Sequence, residues 1–274
     1  MDVNCGARDL FRVRWSDYVA GMVGKQFGKF IHAAPAISGG IGVTHVTDCA
    51  NLDGVLASGK LEKRWCPVFE KDLLYFFYGR PAYRSKWDGG ATSNLGYARM
   101  CFILRDEVAD KAARILPFDS GGYKHYQRAF HHTLDIADFD VEPADHPRKI
   151  VAAFYESFAD YYWMQPALGL SIPLSQTIVD SYYKLITGGL KETFDDRCAA
   201  IEIQLEESLP LTGEVIGVIG PNSMFDDPVL MDQIIAWGAE PRGYQLPRMF
   251  NPAEIGGRLL DEVARFLSDR GYLA

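Results

Sequence analysis

Three residues in this sequence combine reactive side chains with positions where sites are commonly built. His45 lies in a short apolar stretch, Arg80 lies in the turn after a strongly apolar run, and Glu202 lies where apolar and polar residues alternate. An imidazole, a guanidinium and a carboxylate can hold hydroxyl groups and anions through hydrogen bonds. Polar groups at strand ends beside a sharp turn are typical of binding sites, so these three residues are the candidates.

The segment around Glu202 presents an acid and an amide from one face. Side chains in a strand alternate with period two, so Glu202, Gln204 and, if the strand continues, Glu206 point one way. The opposite face is apolar and is formed by Ile201, Ile203 and Leu205. Burying the polar pair is costly without partners, which favours a site. A strand whose polar face lies in water explains the pattern equally well.

Short strands and helices are predicted to position these residues. The stretch from Thr44 to Arg84 predicts a strand at 43–46, a helix over 52–58 that ends at Gly59, and a buried strand at 73–78. Outside this stretch we predict strands at 100–104, 200–205 and 214–219, and helices at 147–164, 177–186 and 252–270. The C-terminal helix is predicted from Asn251 as the cap and Pro252 at the first helical position.

Composition restricts the class of protein. The chain has 274 residues, 48% hydrophobic and 23% charged, which is typical of a globular domain. The net charge of −8 argues against a broad nucleic-acid-binding surface. Five dispersed cysteines indicate reduced thiols, and neither a signal peptide nor a run of about 20 apolar residues is present. We therefore expect a cytoplasmic protein without a membrane segment.

A group of histidines and aspartates invites a metal interpretation. His131 and His132 are followed closely by Asp135 and Asp138. Zinc sites usually show tighter signatures, such as two histidines one helical turn apart beside a glutamate. We therefore predict no metal site here.

Three blocks of the chain, taken in order, resemble the DarT-type ADP-ribosyltransferases, toxins that modify nucleic-acid bases with ADP-ribose from NAD. The blocks run from Thr44 to Leu61, from Leu74 to Tyr83 and from Arg197 to Ile203. The resemblance covers well under half of the chain. It implies an α+β fold with a split mixed β-sheet around an NAD cleft, helical insertions and a C-terminal helix.

The resemblance also implies roles for individual residues. Glu202 and Arg80 would be catalytic, with Glu202 at the nicotinamide ribose and Arg80 at a phosphate or the nicotinamide end. His45 would bind a ribose hydroxyl on the adenosine side. Further NAD contacts would come from Thr47, Asn51, Tyr75, Tyr78 and Tyr83. His45, Arg80 and Glu202 must then face one another.

The resemblance sets expectations for domain organisation and leaves some alternatives open. We expect an N-terminal appendage at 1–35 and one domain at 36–274, with a helical insertion at about 105–196 and a C-terminal helix at about 252–270. Gln204-Leu205-Glu206 resembles the Gln-x-Glu pattern of enzymes that modify proteins, so Glu206 competes with Glu202 as the acid. The acceptor is accordingly nucleic acid or protein.

Other functions and partners also stay open. An antitoxin or another regulatory protein is an implied partner. The alternatives are an NAD glycohydrolase, an RNA 2′-phosphotransferase-like enzyme, and a non-catalytic module that binds a nucleotide or a partner.

Overall fold

A mixed β-sheet forms the centre of the protein. The computed structural model describes residues 26–83, 87, 89–143, 146–188 and 195–273. The strands in this part of the chain are β1 (Val43–Asp48), β2 (Lys60–Leu61), β3 (Arg64–Cys66), β4 (Lys71–Tyr78), β5 (Arg99–Leu104), β6 (Arg114–Leu116), β7 (Glu202–Leu205), β8 (Leu209–Pro210), β9 (Val215–Pro221) and β10 (Glu240–Tyr244).

Helices cover the sheet and connect its strands. They are α1 (Gln26–Ala33), α2 (Leu52–Ser58), α3 (Tyr123–Tyr126), α4 (His146–Phe154), α5 (Phe158–Tyr162), α6 (Thr177–Gly188), α7 (Pro228–Trp237) and α8 (Gly256–Asp269). Short 3₁₀ turns lie between them, including Ser120–Gly122 and Asp196–Ala199. The predicted α+β class is confirmed at this level.

The strands of the large sheet run in the order β10-β9-β5-β1-β4-β7-β6, with β3 beside β4. β9 and β10 are parallel, and the other neighbours are antiparallel. All six residues of β5 are buried, because β5 lies between β1 and β9 and carries apolar side chains on both faces.

β1 and β4 separate soon after they meet. All six residues of β1 pair with β5, whereas only Val43 and Thr44 pair with β4, opposite Tyr78 and Phe77. Within the described residues, no β1–β4 pair follows Thr44. We call the gap that opens there the fork. It divides the sheet into a β10-β9-β5-β1 half and a β4-β7-β6 half.

Apolar side chains fill the space on both faces of the sheet. One cluster joins the sheet to helices α1, α4 and α6, where Phe27 of α1 contacts the rings of Phe154 and Tyr182. The other joins β5 and β9 to helix α8 through residues such as Ile219 and Phe266. Of the predicted N-terminal appendage, residues 1–25 lie outside the described part.

Several predicted elements are confirmed with small changes at their ends. β1, β4, β5, β7 and β9 correspond to predicted strands, and α2 ends as expected at Gly59, which has a positive φ of 66°. Helix α6 also lies where it was predicted. These elements carry strong local patterns, so the sequence alone identifies them.

Two helix predictions are wrong in detail. The single helix predicted at 147–164 is two helices, because Ser157 adopts an extended conformation and its side chain caps α5 by accepting from the Asp160 amide. The C-terminal helix begins at Gly256 rather than Pro252. Asn251 instead accepts a hydrogen bond from the Ala253 amide in a preceding turn.

The segment predicted as a helical insertion at about 105–196 also contributes to the sheet. Its strand β6 pairs with β7, and Leu116 lies directly opposite Glu202. Among the helices that the structure describes, none is long and apolar enough to span a bilayer.

Candidate functional site

His45 occupies the base of the fork. It is the first β1 residue beyond the last pair with β4, and its Nδ1 lies 2.8 Å from the backbone oxygen of Tyr75. A neutral ring facing a carbonyl oxygen must donate from Nδ1, which leaves Nε2 as an acceptor. Nε2 makes no hydrogen bond within the described residues. The half-buried imidazole is therefore suited to accept a hydrogen bond from a ligand hydroxyl.

The environment keeps the His45 imidazole neutral. Burial lowers its pKa, the Tyr75 carbonyl partly offsets this, and the positive charge of Arg64 lowers it further. Since the ordinary value is 6.5, the ring carries no charge near neutral pH.

A chain of polar side chains lines the β1 side of the fork. The side-chain amide of Asn51 donates to Thr47 Oγ1 at 2.8 Å. Arg64, at the start of β3, donates from Nη2 to Asn51 Oδ1 at 3.2 Å. Thr47 and Asn51 are half-buried and Arg64 is exposed. These side-chain hydrogen bonds thus connect β1 to the β3–β4 hairpin on the other side of the fork.

Tyr83 adds an accessible ring to this region. Its side chain is 42% exposed, and the guanidinium carbon of Arg99 lies 4.4 Å from the ring centroid. Arg99 also forms an ion pair with Asp48 at the end of β1. Burial raises the pKa of Tyr83, as does Asp48, whereas Arg99 and Arg64 lower it. Arg64 therefore acts electrostatically on both Tyr83 and His45.

Glu202 is held in a buried polar network on β7. Its Oε2 accepts hydrogen bonds from the Ser120 amide at 2.9 Å and the Ser120 hydroxyl at 3.0 Å. Its Oε1 accepts one from Gln204 Nε2 at 2.6 Å. The side chain is 1% exposed. The acid and amide predicted to share a face therefore do so, and they are buried with partners rather than placed in water.

The network continues from Gln204 to charged residues on β6 and beyond. Arg114 donates to Gln204 Oε1 at 3.0 Å and to Asp140 at 3.1 Å.

Burial, followed by repulsion from Asp119, raises the pKa of Glu202 from 4.5 to about 8, although the hydrogen bonds from its neighbours lower it. At neutral pH the protonated form therefore predominates.

Tyr75 links this network to the fork. Its carbonyl contacts His45, and its side chain extends to the face that carries Glu202 and Gln204, because Tyr75 pairs with Gln204 in the β4–β7 register. Burial raises the pKa of Tyr75, with smaller contributions from Cys66 and Glu202. The fork and the Glu202 carboxylate thus lie on opposite sides of one residue.

Glu206 has a different environment from Glu202. It follows the end of β7, is exposed, and forms an ion pair with Lys71. This pairing lowers its pKa, which is the opposite of the change at Glu202. Of the two candidate acids, Glu202 is the buried one, and it lies on the face of the sheet to which the Tyr75 side chain extends.

Arg80 does not join the fork residues. Its side chain is buried, with Nε donating to the Tyr162 oxygen at 3.0 Å and Nη2 to Asp196 Oδ2 at 2.6 Å. Asp196 begins the 3₁₀ turn Asp196–Ala199, which leads into β7. Arg80 therefore anchors the segment before Glu202, and the expected convergence of His45, Arg80 and Glu202 is not what the structure shows.

Tyr78 also lies away from the fork. Its ring is fully buried and packs edge-on against His146 and Phe158. The physical reason is the alternation along β4, which turns Tyr78 to the face opposite Tyr75.

The histidine and aspartate group at 131–138 has local structural roles. Asp135 and Asp138 form a capping box on the 3₁₀ turn Ile136–Phe139, and His131 Nδ1 lies 2.8 Å from Thr133 Oγ1. Over the described ranges, no group of three or more His, Cys, Asp and Glu side chains is arranged to hold a metal ion.

Two surface cavities are separate from the fork. One, of about 480 Å³, is lined by residues before and at the start of α8, including Phe250 and Arg258. The other, of about 450 Å³, is lined mainly by small apolar residues together with Tyr155 and Glu156. Neither cavity is lined by His45 or Glu202.

The structure therefore brings together part of the predicted site and adds two residues to it. His45, Thr47, Asn51, Tyr75 and Tyr83 lie around the fork, whereas Glu202 lies on β7, which β4 separates from the fork. The additions are Arg64 and Ser120. No pattern in the sequence singles out Arg64, and the signal for Ser120 is limited to the glycine-rich turn after Pro117.

The comparisons with known proteins identify no relative. The sequence matches no protein-family model, and no curated protein matches it significantly. The functional argument therefore depends on the residues around the fork.

Proposed function

We propose that this protein is an NAD-dependent mono-ADP-ribosyltransferase, which releases nicotinamide and transfers ADP-ribose to a macromolecule. The observation that carries the proposal is the buried carboxyl group of Glu202 on β7, which β4 separates from the fork, with Tyr75 of β4 between it and His45. A buried acid with a perturbed pKa, close to side chains with hydrogen-bonding groups to offer, is typical of an active site.

The chemistry requires a carboxylate near the nicotinamide ribose. When the bond to nicotinamide breaks, positive charge develops on the ribose ring, and a fixed negative charge stabilises it. Ser120 and Gln204 hold the Glu202 carboxyl group in one orientation. With a pKa of about 8, Glu202 becomes mostly ionised only above that pH, so we expect its negative charge, and its ability to accept a proton from an incoming nucleophile, to develop under alkaline conditions.

The fork supplies groups suited to the rest of NAD. His45 Nε2 would accept a hydrogen bond from a ribose hydroxyl, and Thr47 and Asn51 supply further polar atoms on the same side. The partly accessible rings of Tyr75 and Tyr83 offer surfaces for stacking against a flat heterocycle. Arg80 acts at a distance in this proposal, by holding the segment that leads to Glu202.

A nucleic-acid acceptor is favoured by the resemblance of the sequence blocks, with a protein acceptor as the alternative. The test uses NAD labelled on the adenosine side, incubated with the purified protein and total cell lysate. We expect release of nicotinamide and label on a macromolecule that nuclease treatment removes. Removal by protease instead would identify a protein acceptor, and nicotinamide release without labelled macromolecule would identify an NAD glycohydrolase.

Glu202→Gln and Glu206→Gln form a matched pair for this test. Both replace a carboxylate by an amide of similar size, but only Glu202 lies in the buried network. We expect Glu202→Gln to abolish nicotinamide release while the protein remains folded, and Glu206→Gln to retain it. Full activity in Glu202→Gln would remove this residue as the catalytic acid.

A second candidate function is a non-catalytic nucleotide-binding module. The observation that favours it is that Glu202 and Arg80 both have their hydrogen bonds satisfied inside the protein. Wild-type protein that binds NAD but releases no nicotinamide with any lysate fraction would support this candidate over the enzyme.

A further inference from the structure

Arg64 is a cation at the fork without a compensating carboxylate. It is exposed, and its described hydrogen bond is to the neutral side chain of Asn51. Among the described residues, no Asp or Glu oxygen lies within ion-pair distance of its guanidinium. The guanidinium therefore keeps most of its donors for another partner.

The buried and half-buried arginines of the same region differ in this respect. Each is paired with at least one aspartate: Arg80 with Asp196, Arg99 with Asp48, Arg114 with Asp140, and Arg197 with Asp119 and Asp195. Their charges are neutralised inside the protein. Arg64 is thus the arginine at the fork whose charge is left to act on a ligand.

The position of Arg64 is fixed from both sides. Asn51, which is itself bonded to Thr47 on β1, accepts from one of its nitrogens, and the β3–β4 pairing holds its backbone opposite Leu73. A guanidinium held in one orientation loses less entropy when it binds an anion. Asp48, which also borders the region, is neutralised by Arg99 and does not cancel this charge.

We propose that Arg64 binds the diphosphate of a nucleoside diphosphate ligand in the fork, with His45 at a ribose hydroxyl of the same ligand. This assignment rests on the proposed function, since NAD contains such a diphosphate. A guanidinium matches phosphate oxygens through paired hydrogen bonds that a lysine cannot reproduce. The assignment therefore gives the anion-binding role to Arg64 rather than to Arg80, because the Arg80 guanidinium is already bonded to Asp196.

The test compares the binding of ADP and adenosine by isothermal titration calorimetry. We expect wild-type protein to bind ADP more tightly than adenosine, and Arg64→Gln to weaken ADP binding about tenfold or more while adenosine binding is unchanged. Arg64→Lys should fall between the two, because it keeps the charge but loses the fork geometry.

Arg105→Gln is the matched control. Arg105 is also exposed, and it also donates to a neutral oxygen, that of Gly213, beyond the closed end of the fork. Its substitution should leave both affinities unchanged. A thermal-unfolding scan of each variant checks that the protein is folded.

The possible outcomes separate this assignment from the proposed function. If Arg64→Gln binds ADP as tightly as wild-type protein, or if wild-type protein binds ADP no better than adenosine, the assignment is overturned. Nicotinamide release by wild-type protein together with either result would leave the enzyme proposal standing without Arg64. If Arg64→Gln weakens ADP binding while no nicotinamide is released, the diphosphate site stands and the transferase proposal fails.

Discussion

Ser120 donates two hydrogen bonds to a single oxygen of Glu202. The backbone amide lies 2.9 Å and the hydroxyl 3.0 Å from Oε2. Both bonds favour the ionised carboxylate and oppose the effect of burial on its pKa. A residue 82 positions away in the chain therefore lowers the pKa of the candidate catalytic acid, by less than burial raises it.

Replacing Ser120 by alanine should raise the pKa of Glu202. The variant loses the hydroxyl donor but keeps the backbone amide, so one of the interactions that lower this pKa disappears. The pH at which folded Glu202 loses its proton, seen as the alkaline end of the fall in unfolding free energy, should then be higher. Ser208→Ala is the control, because Ser208 bonds Glu62 outside this network. An unchanged pH for this proton loss in Ser120→Ala would contradict the role given to the hydroxyl.

The contribution of Glu202 to the stability of the protein should fall as the pH rises from about 4.5 to about 8. Glu202 titrates at 4.5 in the unfolded reference and at about 8 when folded, so over this range the folded state holds a proton that the unfolded state has lost. This contributes a slope of at most about 1.4 kcal/mol per pH unit.

Chemical denaturation at a series of pH values measures this contribution. Glu202→Gln carries no such proton and should show a flatter profile over the same range, whereas Glu206→Gln should keep the wild-type slope. Equal slopes in wild-type protein and Glu202→Gln would show that Glu202 is not the group responsible.

Arg80→Gln should reduce stability rather than ligand affinity. The substitution removes a buried guanidinium and leaves the Tyr162 carbonyl and Asp196 without their donors. The loss of charged hydrogen bonds of this kind costs about 2 kcal/mol of unfolding free energy. Denaturant titration gives this value, and ADP titration of the folded variant gives the affinity. Normal stability with lost ADP binding would return Arg80 to the ligand site.

His45 should remain neutral below its ordinary pKa. Burial lowers this pKa, so the unfolded chain takes up the proton first as the pH falls through 6.5, and the contribution of His45 to stability is lost under acid conditions. Proton NMR titration, with the signal assigned by its absence in His45→Gln, measures the pKa directly. A midpoint at or above 6.5 would contradict the buried, Tyr75-bonded imidazole.

Local patterns in the sequence predicted the elements that carry the site. The apolar run of β4, the capped helix α2 and the alternation of β7 each depend on neighbouring residues, and each appears in the structure. The shared face of Glu202 and Gln204 followed from the same alternation. These features need no knowledge of how distant segments meet.

Contacts between distant segments were not predictable in this way. Arg80 and Asp196 are 116 positions apart, and nothing near either residue indicates the other. The strand β3 has three residues and no clear period, so the placement of Arg64 opposite Leu73 depends on the hairpin as a whole. The role expected of Arg80 was inferred from the turn that contains it. In the structure, its contacts are with residues that are distant in the sequence.

The short contact between β1 and β4 leaves few backbone bonds between the two halves of the sheet. The strands meet at two residue pairs, reinforced by the hydrogen bond that the Thr44 hydroxyl donates to the Phe77 carbonyl. Just beyond these pairs, the His45 imidazole lies with its Nδ1 2.8 Å from the Tyr75 carbonyl oxygen and so bridges two strands whose backbones no longer pair. Substitution of His45 therefore removes a connection between the two halves of the sheet as well as a candidate ligand contact.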